Sequence, residues 1–208
     1  MTRATAAPTW LLFDYVGVLT EDPHASDSAA LAAASGAVTE AEFWDAYWAD
    51  RRDYDIDALD GTGYWRAVTG RLGRPCDEAR AAELVRLDIA ARTHWRPGVL
   101  ELVDALAASR GHRIAMLSNL PRDLASALRE SPLADRFDPM LFSCDLGLVK
   151  PDAASFGAAL ARMDADPGDV VFIDDRVENT DAAEELGIRS IAFTDDQTLR
   201  RDLHALLG

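Results

Sequence analysis

Short apolar segments recur along the chain, each followed at once by polar or turn-forming residues. Almost every position within them is apolar, which is typical of strands that are buried on both faces of a parallel sheet. We predict strands at Trp10–Phe13, Arg113–Leu117, Met140–Ser143, Val170–Ile173 and Ser190–Phe193.

From Pro97 onward, segments with helical spacing of apolar residues separate these strands. The predicted helices are Gly98–Ser109, Arg122–Glu130, Ala153–Met163, Glu178–Leu186 and Asp196–Leu207. Strands that alternate with helices through short loops favour an α/β fold, a doubly wound parallel sheet that is covered by helices on both faces.

A long insertion, residues 21–95, separates the first two strands and shows no strand pattern. Helical spacing is present at Ser28–Ala34, Glu40–Arg52, Gly63–Leu72 and Glu78–Thr93. We therefore predict two domains, an α/β core formed by residues 1–20 and 96–208 and a helical cap formed by residues 21–95. Because the cap leaves the chain at the carboxyl end of the first strand, we expect it near the edge where open α/β sheets bind ligands.

The cap carries aromatic and basic side chains that could pack or bind. An aromatic stripe favours core packing, with a substrate-facing wall as the rarer alternative; it consists of Phe43, Trp44, Tyr47 and Trp48. Four further cap residues are candidate substrate contacts: Arg51, Arg52, Tyr54 and Tyr64. Arginines on helical surfaces are more often solvated than bound to a ligand.

Composition narrows the possible partners. The 208 residues are 49% apolar and carry a net charge of −15, which argues against nucleic acid and anionic membrane surfaces as partners. Cys76 and Cys144 are far apart, so the sequence supports neither a disulfide framework nor a paired-cysteine zinc site. Met1–Thr9 has no signal-peptide pattern and no segment approaches the roughly 20 apolar residues of a membrane span, so we expect a cytoplasmic protein. The pattern specifies no oligomeric state.

Histidine and lysine usage adds two observations. The four histidines show no ligand-like spacing and are expected to be structural or exposed: His24, His94, His112 and His204. Of the 21 basic residues only Lys150 is a lysine, which a strong compositional preference for arginine explains in general but not at this position. It lies in the loop before a predicted helix, either solvated or beside carboxylates and an incoming anion.

Polar residues follow three of the predicted strands. Asp14 comes directly after the first strand, where a nucleophile or metal ligand is expected, although such a residue can also simply form a turn. Ser118-Asn119 follows the second strand and could cap the next helix. Asp174-Asp175 follows the fourth, and adjacent carboxylates repel each other unless a cation or hydrogen bonds compensate, which favours a divalent metal.

Together with the loop Gly147–Asp152, which carries Lys150, these three segments resemble in their chain order the haloacid dehalogenase superfamily of hydrolases, in the subfamily with an inserted helical cap. The segments Leu117–Asn119, Ser143–Pro151 and Asp174–Asn179 are similar to the sugar-phosphate phosphatases related to bacterial glucose-1-phosphate phosphatase. The resemblance covers nearly the whole chain and implies a Rossmann-like core. It also implies a phosphatase that cleaves a small phosphorylated metabolite, with a sugar phosphate as one candidate.

The resemblance further implies a role for each motif residue. Asp14 would attack phosphorus and form an aspartyl-phosphate. Mg²⁺ would bind Asp14, the backbone carbonyl of Val16, Asp174 and Asp175. The phosphoryl group would be contacted by Ser118, Asn119 and Lys150, with Lys150 neutralising charge on both the nucleophile and the phosphate.

One position departs from the pattern of the superfamily. Most of its phosphatases carry an acid–base Asp two residues after the nucleophile, where this chain has Val16. General acid–base catalysis is typically worth about 10²–10⁴-fold, so its loss implies a slow phosphatase, an acid supplied by the cap, or a leaving group that needs no proton. Glu21 and Asp22 are the nearest candidate replacements.

Two alternatives to a phosphatase stay open. Val16 is also consistent with a silent or very slow protein that binds a phosphorylated ligand. A metal-independent 2-haloacid dehalogenase would also lack the second Asp, but the adjacent Asp174 and Asp175 would repel an anionic substrate.

Overall fold

The computed structural model describes residues 10–109 and 111–207, so the segment 1–9, for which the sequence predicts no signal peptide, lies outside the described residues. Five strands form one parallel sheet in the order β3-β2-β1-β4-β5. Their bounds are Trp10–Phe13 (β1), Arg113–Ser118 (β2), Met140–Phe142 (β3), Val170–Asp174 (β4) and Arg189–Ala192 (β5). The predicted α/β fold is confirmed.

Helices after the cap flank this sheet. They are Pro97–Ala108 (α6), Arg122–Arg129 (α7), Ser143–Leu146 (α8), Ala153–Met163 (α9), Val177–Glu185 (α10) and Asp196–Leu207 (α11). The short α8 follows β3 directly and was not predicted, since one turn is too short to show a helical period.

Alternate residues of each strand enter different cores. Leu11 and Phe13 of β1 pack with apolar residues of α6, α7 and α11, whereas Trp10 and Leu12 pack with residues of α9 and α10. This is the period-2 alternation of a strand with helices on both faces. The continuous apolar strand sequences therefore reflect a three-layer α/β/α sandwich.

The insertion forms five helices with their own apolar cluster, centred on buried aromatic residues such as Phe43, Tyr47, Tyr64 and Trp65. Their bounds are Ala25–Ser35 (α1), Glu40–Ala49 (α2), Arg51–Asp55 (α3), Gly61–Arg71 (α4) and Glu78–Ala91 (α5). The sequence predicts one helix over Glu40–Arg52, but the backbone leaves helical geometry at Asp50, with φ −118° and ψ 18°, so α2 ends at Ala49 and α3 begins at Arg51. The boundaries of the cap domain stay a prediction.

Side chains cap several of these helices. Thr39 and Glu42 form a reciprocal capping box at the start of α2. Asp60 and Asp77 accept hydrogen bonds from backbone N–H groups in the first turns of α4 and α5, at 2.7 and 2.9 Å. Each capping residue satisfies an N–H that the helix itself leaves unpaired.

The chain enters and leaves the insertion side by side. Thr20 and Trp95 form an antiparallel bridge, the N–H of Glu21 donates to the carbonyl of His94 at 2.8 Å, and that of Arg96 donates to Leu19 at 2.9 Å. This pairing holds the base of the insertion at the carboxyl edge of the sheet. Within the described residues, no helix has both the length and the apolar character needed to cross a membrane.

Candidate active site

The carboxyl edge of the sheet gathers the polar residues that followed the predicted strands. The N–H of Asp14 donates to the carbonyl of Ile173 at 2.9 Å, which extends the pairing of β1 and β4 and fixes Asp14 at this edge. Ser118 ends β2, and Asp174 ends β4. Parallel strands end on the same side, so residues far apart in sequence converge here.

Asp14 is buried, and two donors hold one of its oxygens. The hydroxyl of Ser118 donates to Oδ1 at 2.6 Å, and Nζ of Lys150 lies 2.8 Å from the same atom. Burial raises the pKa of Asp14 to about 6, while the ammonium of Lys150 opposes the rise. The site therefore holds a carboxylate that is desolvated and fixed in orientation.

Lys150 bridges two carboxylates. Its Nζ lies 2.6 Å from Oδ2 of Asp174 as well as 2.8 Å from Asp14, and the residue is only 5% exposed. Burial acts to lower the pKa of Lys150, but the two carboxylates outweigh it and raise the pKa above its usual value. Of the two environments that the sequence left open for Lys150, the structure therefore has the one beside carboxylates.

Asn119 fixes the backbone of Lys150. Its amide nitrogen donates to the carbonyl of Lys150 and its amide oxygen accepts from the N–H of Lys150, both at 2.9 Å. Both halves of the amide are thus engaged by the loop that carries Lys150. The predicted contact between Asn119 and the phosphoryl group stays a prediction.

The two adjacent aspartates have different surroundings. Oδ1 of Asp174 accepts from the N–H of Arg176 and from the side chain of Asn179, both at 2.9 Å, and Oδ2 accepts from Lys150. Asp175 is more exposed than Asp174. Asn179 lies inside the motif that the sequence singled out, yet its support of Asp174 depends on a helical turn that the motif does not show.

Gly17 allows Asp175 to approach Asp14. Its φ of +88° lies in the left-handed region, and a Cβ atom at this position would lie 2.4 Å from Oδ2 of Asp175. A side chain here would be strained and would also displace the carboxylate. The glycine after Val16 therefore shapes the acidic cluster.

Asp14, Asp174 and Asp175 together could hold a metal ion. Each offers a carboxylate oxygen, and these atoms all lie within 4.8 Å of one another. Partial burial and the nearby charge of Asp174 raise the pKa of Asp175, as expected for carboxylates gathered without a cation. Hard oxygen donors in small number suit Mg²⁺.

A cavity of about 350 Å³ opens over these residues and extends to the cap. Asp14, Ser118, Asn119, Lys150 and Asp175 line its floor. From the entry linker and the cap, the lining residues are Asp22, Pro23, Trp44, Trp48, Arg51, Asp55 and Arg92. Its size suits a small metabolite.

Val16 also lines this cavity, with its side chain packed partly against the core. Valine has no proton to transfer at this position. Of the two candidate replacements, Asp22 lines the cavity, whereas Glu21 lies 3.7 Å from Nε2 of His24.

Buried charges form the part of the cap wall nearest the aromatic stripe. Arg51 lies 2.9 Å from Asp55 and 3.4 Å from Asp88, and Arg92 lies 3.2 Å from Asp88. Both arginines also donate to the hydroxyl of Tyr47, which itself donates to Asp88 at 2.9 Å. Two guanidinium groups are thus balanced by two carboxylates within the cap.

The other candidate contacts of the cap do not line the cavity. Arg52 pairs with Asp152 at 2.9 Å, the hydroxyl of Tyr54 donates to Asp123 at 2.9 Å, and that of Tyr64 donates to the carbonyl of Tyr47 at 2.6 Å. The first two contacts join the cap to the core. Arg52 and Tyr54 therefore help to hold the cap on the core, and Tyr64 links two helices within the cap.

Two histidines meet at the base of the cap, although their sequence spacing did not suggest it. The rings of His24 and His94 stack at 4.0 Å, and Nε2 of His94 lies 2.7 Å from Asp27. These three side chains could also hold a metal ion, since their ligand atoms lie within 4.8 Å of one another. The contact arises because the two linkers of the cap pair with each other.

A sequence profile of the haloacid dehalogenase-like hydrolases matches residues 9–187. The chain belongs to this family. The resemblance inferred from the motifs is therefore confirmed at the level of the superfamily.

Solved structures share the fold of this hydrolase. A haloacid dehalogenase family enzyme from Bacteroides thetaiotaomicron has a TM-score of 0.78 and 18% identity, covering 94% of this chain and 99% of the other. The same enzyme has been crystallised with magnesium and inorganic phosphate, at a TM-score of 0.70 and 17% identity over 90% of this chain and 96% of the other. At these identities the likeness shows the fold alone.

Known proteins are similar to parts of the sequence. A sesquiterpene phosphatase from Aspergillus oryzae is 30% identical over 48% of this chain and 51% of its own length. Flavin mononucleotide hydrolase 1 from Arabidopsis thaliana is 29% identical over 52% of this chain and 44% of its own length. Mouse acyl-CoA dehydrogenase family member 10 is 35% identical over 48% of this chain but only 9% of its own length. The chain thus spans about half or less of the length of these relatives.

Proposed function

We propose that this hydrolase is a Mg²⁺-dependent phosphatase that cleaves a small phosphorylated metabolite through an aspartyl-phosphate on Asp14. The observation that carries the proposal is the pair of contacts to Oδ1 of Asp14 from Ser118 and Lys150. Within the part of the chain that the structure describes, no side chain donates to Oδ2 of Asp14. We therefore assign Oδ2 as the atom that attacks phosphorus.

Hydrolysis then takes two displacements. Oδ2 of Asp14 forms a bond to phosphorus while the bond from phosphorus to the ester oxygen breaks, and the electron pair leaves with the alcohol or phenol oxygen. Water attacks the aspartyl-phosphate and releases inorganic phosphate and the Asp14 carboxylate. Ser118 and Lys150 are positioned to donate to phosphoryl oxygens as charge shifts from Asp14 onto them.

The proposed metal ligands are Asp14, Asp174, Asp175 and the backbone carbonyl of Val16, because the carboxylate oxygens of the three aspartates lie within 4.8 Å of one another. Asp174 also positions Lys150, which donates to its Oδ2 at 2.6 Å. Mg²⁺ held by these residues would supply positive charge to neutralise the phosphoryl oxygens during in-line attack.

The comparisons support this reaction class. The relatives include a phosphatase and a flavin mononucleotide hydrolase, and a structural neighbour binds magnesium together with inorganic phosphate. Because each relative matches only part of the chain, the reaction and the substrate class remain our proposal.

The test is phosphate release from a panel of phosphorylated metabolites, with Mg²⁺ and with EDTA. We expect metal-dependent release that Asp14→Asn abolishes, because an amide nitrogen does not attack phosphorus. Asp181→Asn, a change at an exposed position of α10, is the matched control and should keep full activity. Rapid acid quenching with a radiolabelled substrate should trap a phosphoprotein in the wild type and none in Asp14→Asn.

Other outcomes separate the alternatives. Halide release from 2-haloacids without phosphate release would identify a dehalogenase. Phosphate binding without turnover of any compound would identify a silent binding protein. Activity of Asp14→Asn near that of the wild type would remove Asp14 as the nucleophile.

A further inference from the structure

Four apolar side chains line the cavity above Asp14: Val16 after the first strand, Pro23 of the entry linker, and Trp44 and Trp48 of the cap. Trp48 is 56% exposed, one of few large apolar side chains in the described residues with so much free surface. An exposed indole at the mouth of a cavity with a buried nucleophile indicates a contact surface for the substrate.

The two arginines that the cap side contributes to the cavity are already paired, and Arg176, which lines it from the core, is paired with Glu178. Arg51 is held by Asp55 and Asp88, and Arg92 by Asp88 and Tyr47, all within the cap. A second phosphate or a carboxylate on the substrate would have to break these buried pairs, and removing one partner of a buried pair is costly. The geometry therefore favours a leaving group without charge.

Trp44 and Trp48 present a flat surface to this leaving group. They lie one helical turn apart on α2, with ring centroids 6.4 Å apart and planes inclined by 22°. The indole N–H of Trp44 donates to Glu40 at 3.2 Å, which orients its ring. Aromatic rings bind other aromatic rings by stacking or by edge-to-face contact.

The chemistry at Val16 restricts the leaving group in a second, independent way. An alkoxide leaves slowly unless an acid protonates it, whereas a phenolate is a far weaker base and leaves without help. With valine at the position of the usual acid, the reaction favours esters whose leaving oxygen is phenolic.

We infer that the preferred substrates of this hydrolase are aryl phosphate monoesters with an uncharged, flat leaving group that packs on Trp44 and Trp48. The inference rests on the proposed phosphatase activity. Asp14 attacks phosphorus, the bond to the aryl oxygen breaks, and the phenolate leaves with the electron pair and takes its proton from water. The aspartyl-phosphate is then hydrolysed as above.

The first test compares phenyl phosphate with cyclohexyl phosphate on the Mg²⁺-loaded protein. Both leaving groups are uncharged six-membered rings, but cyclohexanol is a far weaker acid and is not flat. We expect kcat/KM for the phenyl ester to be higher by at least about 100-fold, the lower range of what general acid catalysis supplies. Val16→Asp should raise the rate for the cyclohexyl ester more than for the phenyl ester and narrow this ratio by about tenfold or more.

The second test addresses the aromatic surface. Trp48→Ala should lower the ratio of kcat/KM for 1-naphthyl phosphate to that for acetyl phosphate by about tenfold, since acetyl phosphate has no ring to stack. Trp48→Phe, which keeps an aromatic face, should recover most of the ratio. Val38→Ala is the matched control, because Val38 is an exposed apolar cap residue outside the cavity.

Equal rates for the phenyl and cyclohexyl esters would overturn the inference, and so would a ratio that Trp48→Ala leaves unchanged. Loss of alkyl phosphate turnover in Asp22→Asn would also overturn it, because Asp22 would then be the acid that Val16 lacks. These results leave the proposed function intact. Absence of metal-dependent phosphate release from every ester and from acetyl phosphate would instead overturn both proposals.

Discussion

At the scale of single residues, Lys150 has the most constrained surroundings. It is the one lysine of the sequence, and its ammonium lies between Asp14 and Asp174 with the ring of Phe172 at 5.2 Å. A compact point charge fits between two carboxylates in so little space, whereas the planar guanidinium of arginine is larger and donates in fixed directions. The preference for arginine at the other basic positions therefore does not extend to position 150, where the shape of the charged group matters.

We predict that Lys150→Arg loses at least about tenfold in kcat despite keeping the charge, since a misplaced donor no longer stabilises the phosphoryl oxygens. Steady-state kinetics on a responsive phosphate ester measures this loss. Arg162→Lys, the reverse exchange at an exposed site, is the control. Near-normal turnover of Lys150→Arg would show that catalysis does not require a lysine at this position.

Burial of Asp14 also predicts a pH-dependent cost in stability. Its pKa rises from 3.8 to about 6 in the folded protein, so the folded state holds the proton more tightly than the unfolded state does. The resulting stability is fully present below about pH 4 and is lost as the pH rises through 6.

Asp14→Asn keeps position 14 neutral at every pH. The free energy of unfolding of the metal-free variant should therefore exceed that of the wild type by an amount that grows from pH 4 upward and reaches about 1–3 kcal/mol near pH 7. Urea unfolding in EDTA at several pH values measures the difference, and Mg²⁺ should diminish it by binding more tightly to the wild type than to the variant. A difference that does not change with pH would show that Asp14 is not destabilised by ionisation.

The residues of the site could be predicted because each follows a recognisable strand or precedes a helix. The different role of each residue could not be predicted. Asp174 and Asp175 look equivalent in sequence, but the turn into α10 directs the N–H of Arg176 and the amide of Asn179 to Asp174 alone. Only the folded backbone distinguishes the residue that positions Lys150 from the one that faces the cavity.

At the scale of elements, a buried polar cluster links the helices of the cap. Asp88 on α5 accepts from Tyr47 on α2 and lies within 3.4 Å of Arg51 on α3 and Arg92 after α5. The aromatic stripe predicted on α2 is accordingly divided, since Phe43 and Tyr47 are buried in the cap and Trp48 faces outward. The break at Asp50 brings Arg51 into this cluster.

We predict that Asp88→Ala destabilises the protein by about 3–5 kcal/mol, because it leaves two buried guanidinium groups with one carboxylate. Denaturant unfolding followed by tryptophan fluorescence measures the loss. Asp50→Ala, which removes a more exposed ion pair with Arg71, should cost less than about 1 kcal/mol. Equal losses in the two variants would contradict a special role for the cluster.

At the scale of the whole molecule, a few polar contacts hold the helical insertion on the core. Ser143, at the start of α8, accepts from the N–H of Leu120 at 2.9 Å and donates to the carbonyl of Asp55 at 2.6 Å. Arg122 adds an ion pair with Asp57 at 2.8 Å. These contacts keep the cap wall facing Asp14.

Ser143→Ala should cost about 1–3 kcal/mol, since it leaves a buried N–H and a buried carbonyl without their partner. It should also raise KM for aryl esters by loosening the cap wall. Thermal unfolding and kinetics measure both effects, and Ser26→Ala, at an exposed helical position, is the control. Destabilisation without any change in KM would show that Ser143 contributes to stability and not to the position of the cap wall.

The sequence by itself determined the alternation of strands and helices, the helical insertion and the residues at the ends of the strands, because these depend on local periodicity and on chain order. Tertiary structure decided which of them touch. The sheet order places β1 between β2 and β4, so Asp14 lies beside Ser118 and Asp174, and Lys150 bridges the two carboxylates. Pairing of the two linkers brings the cap wall over the site. Contacts between residues a hundred positions apart arise only when the buried faces of the helices and strands pack together, which no local pattern records.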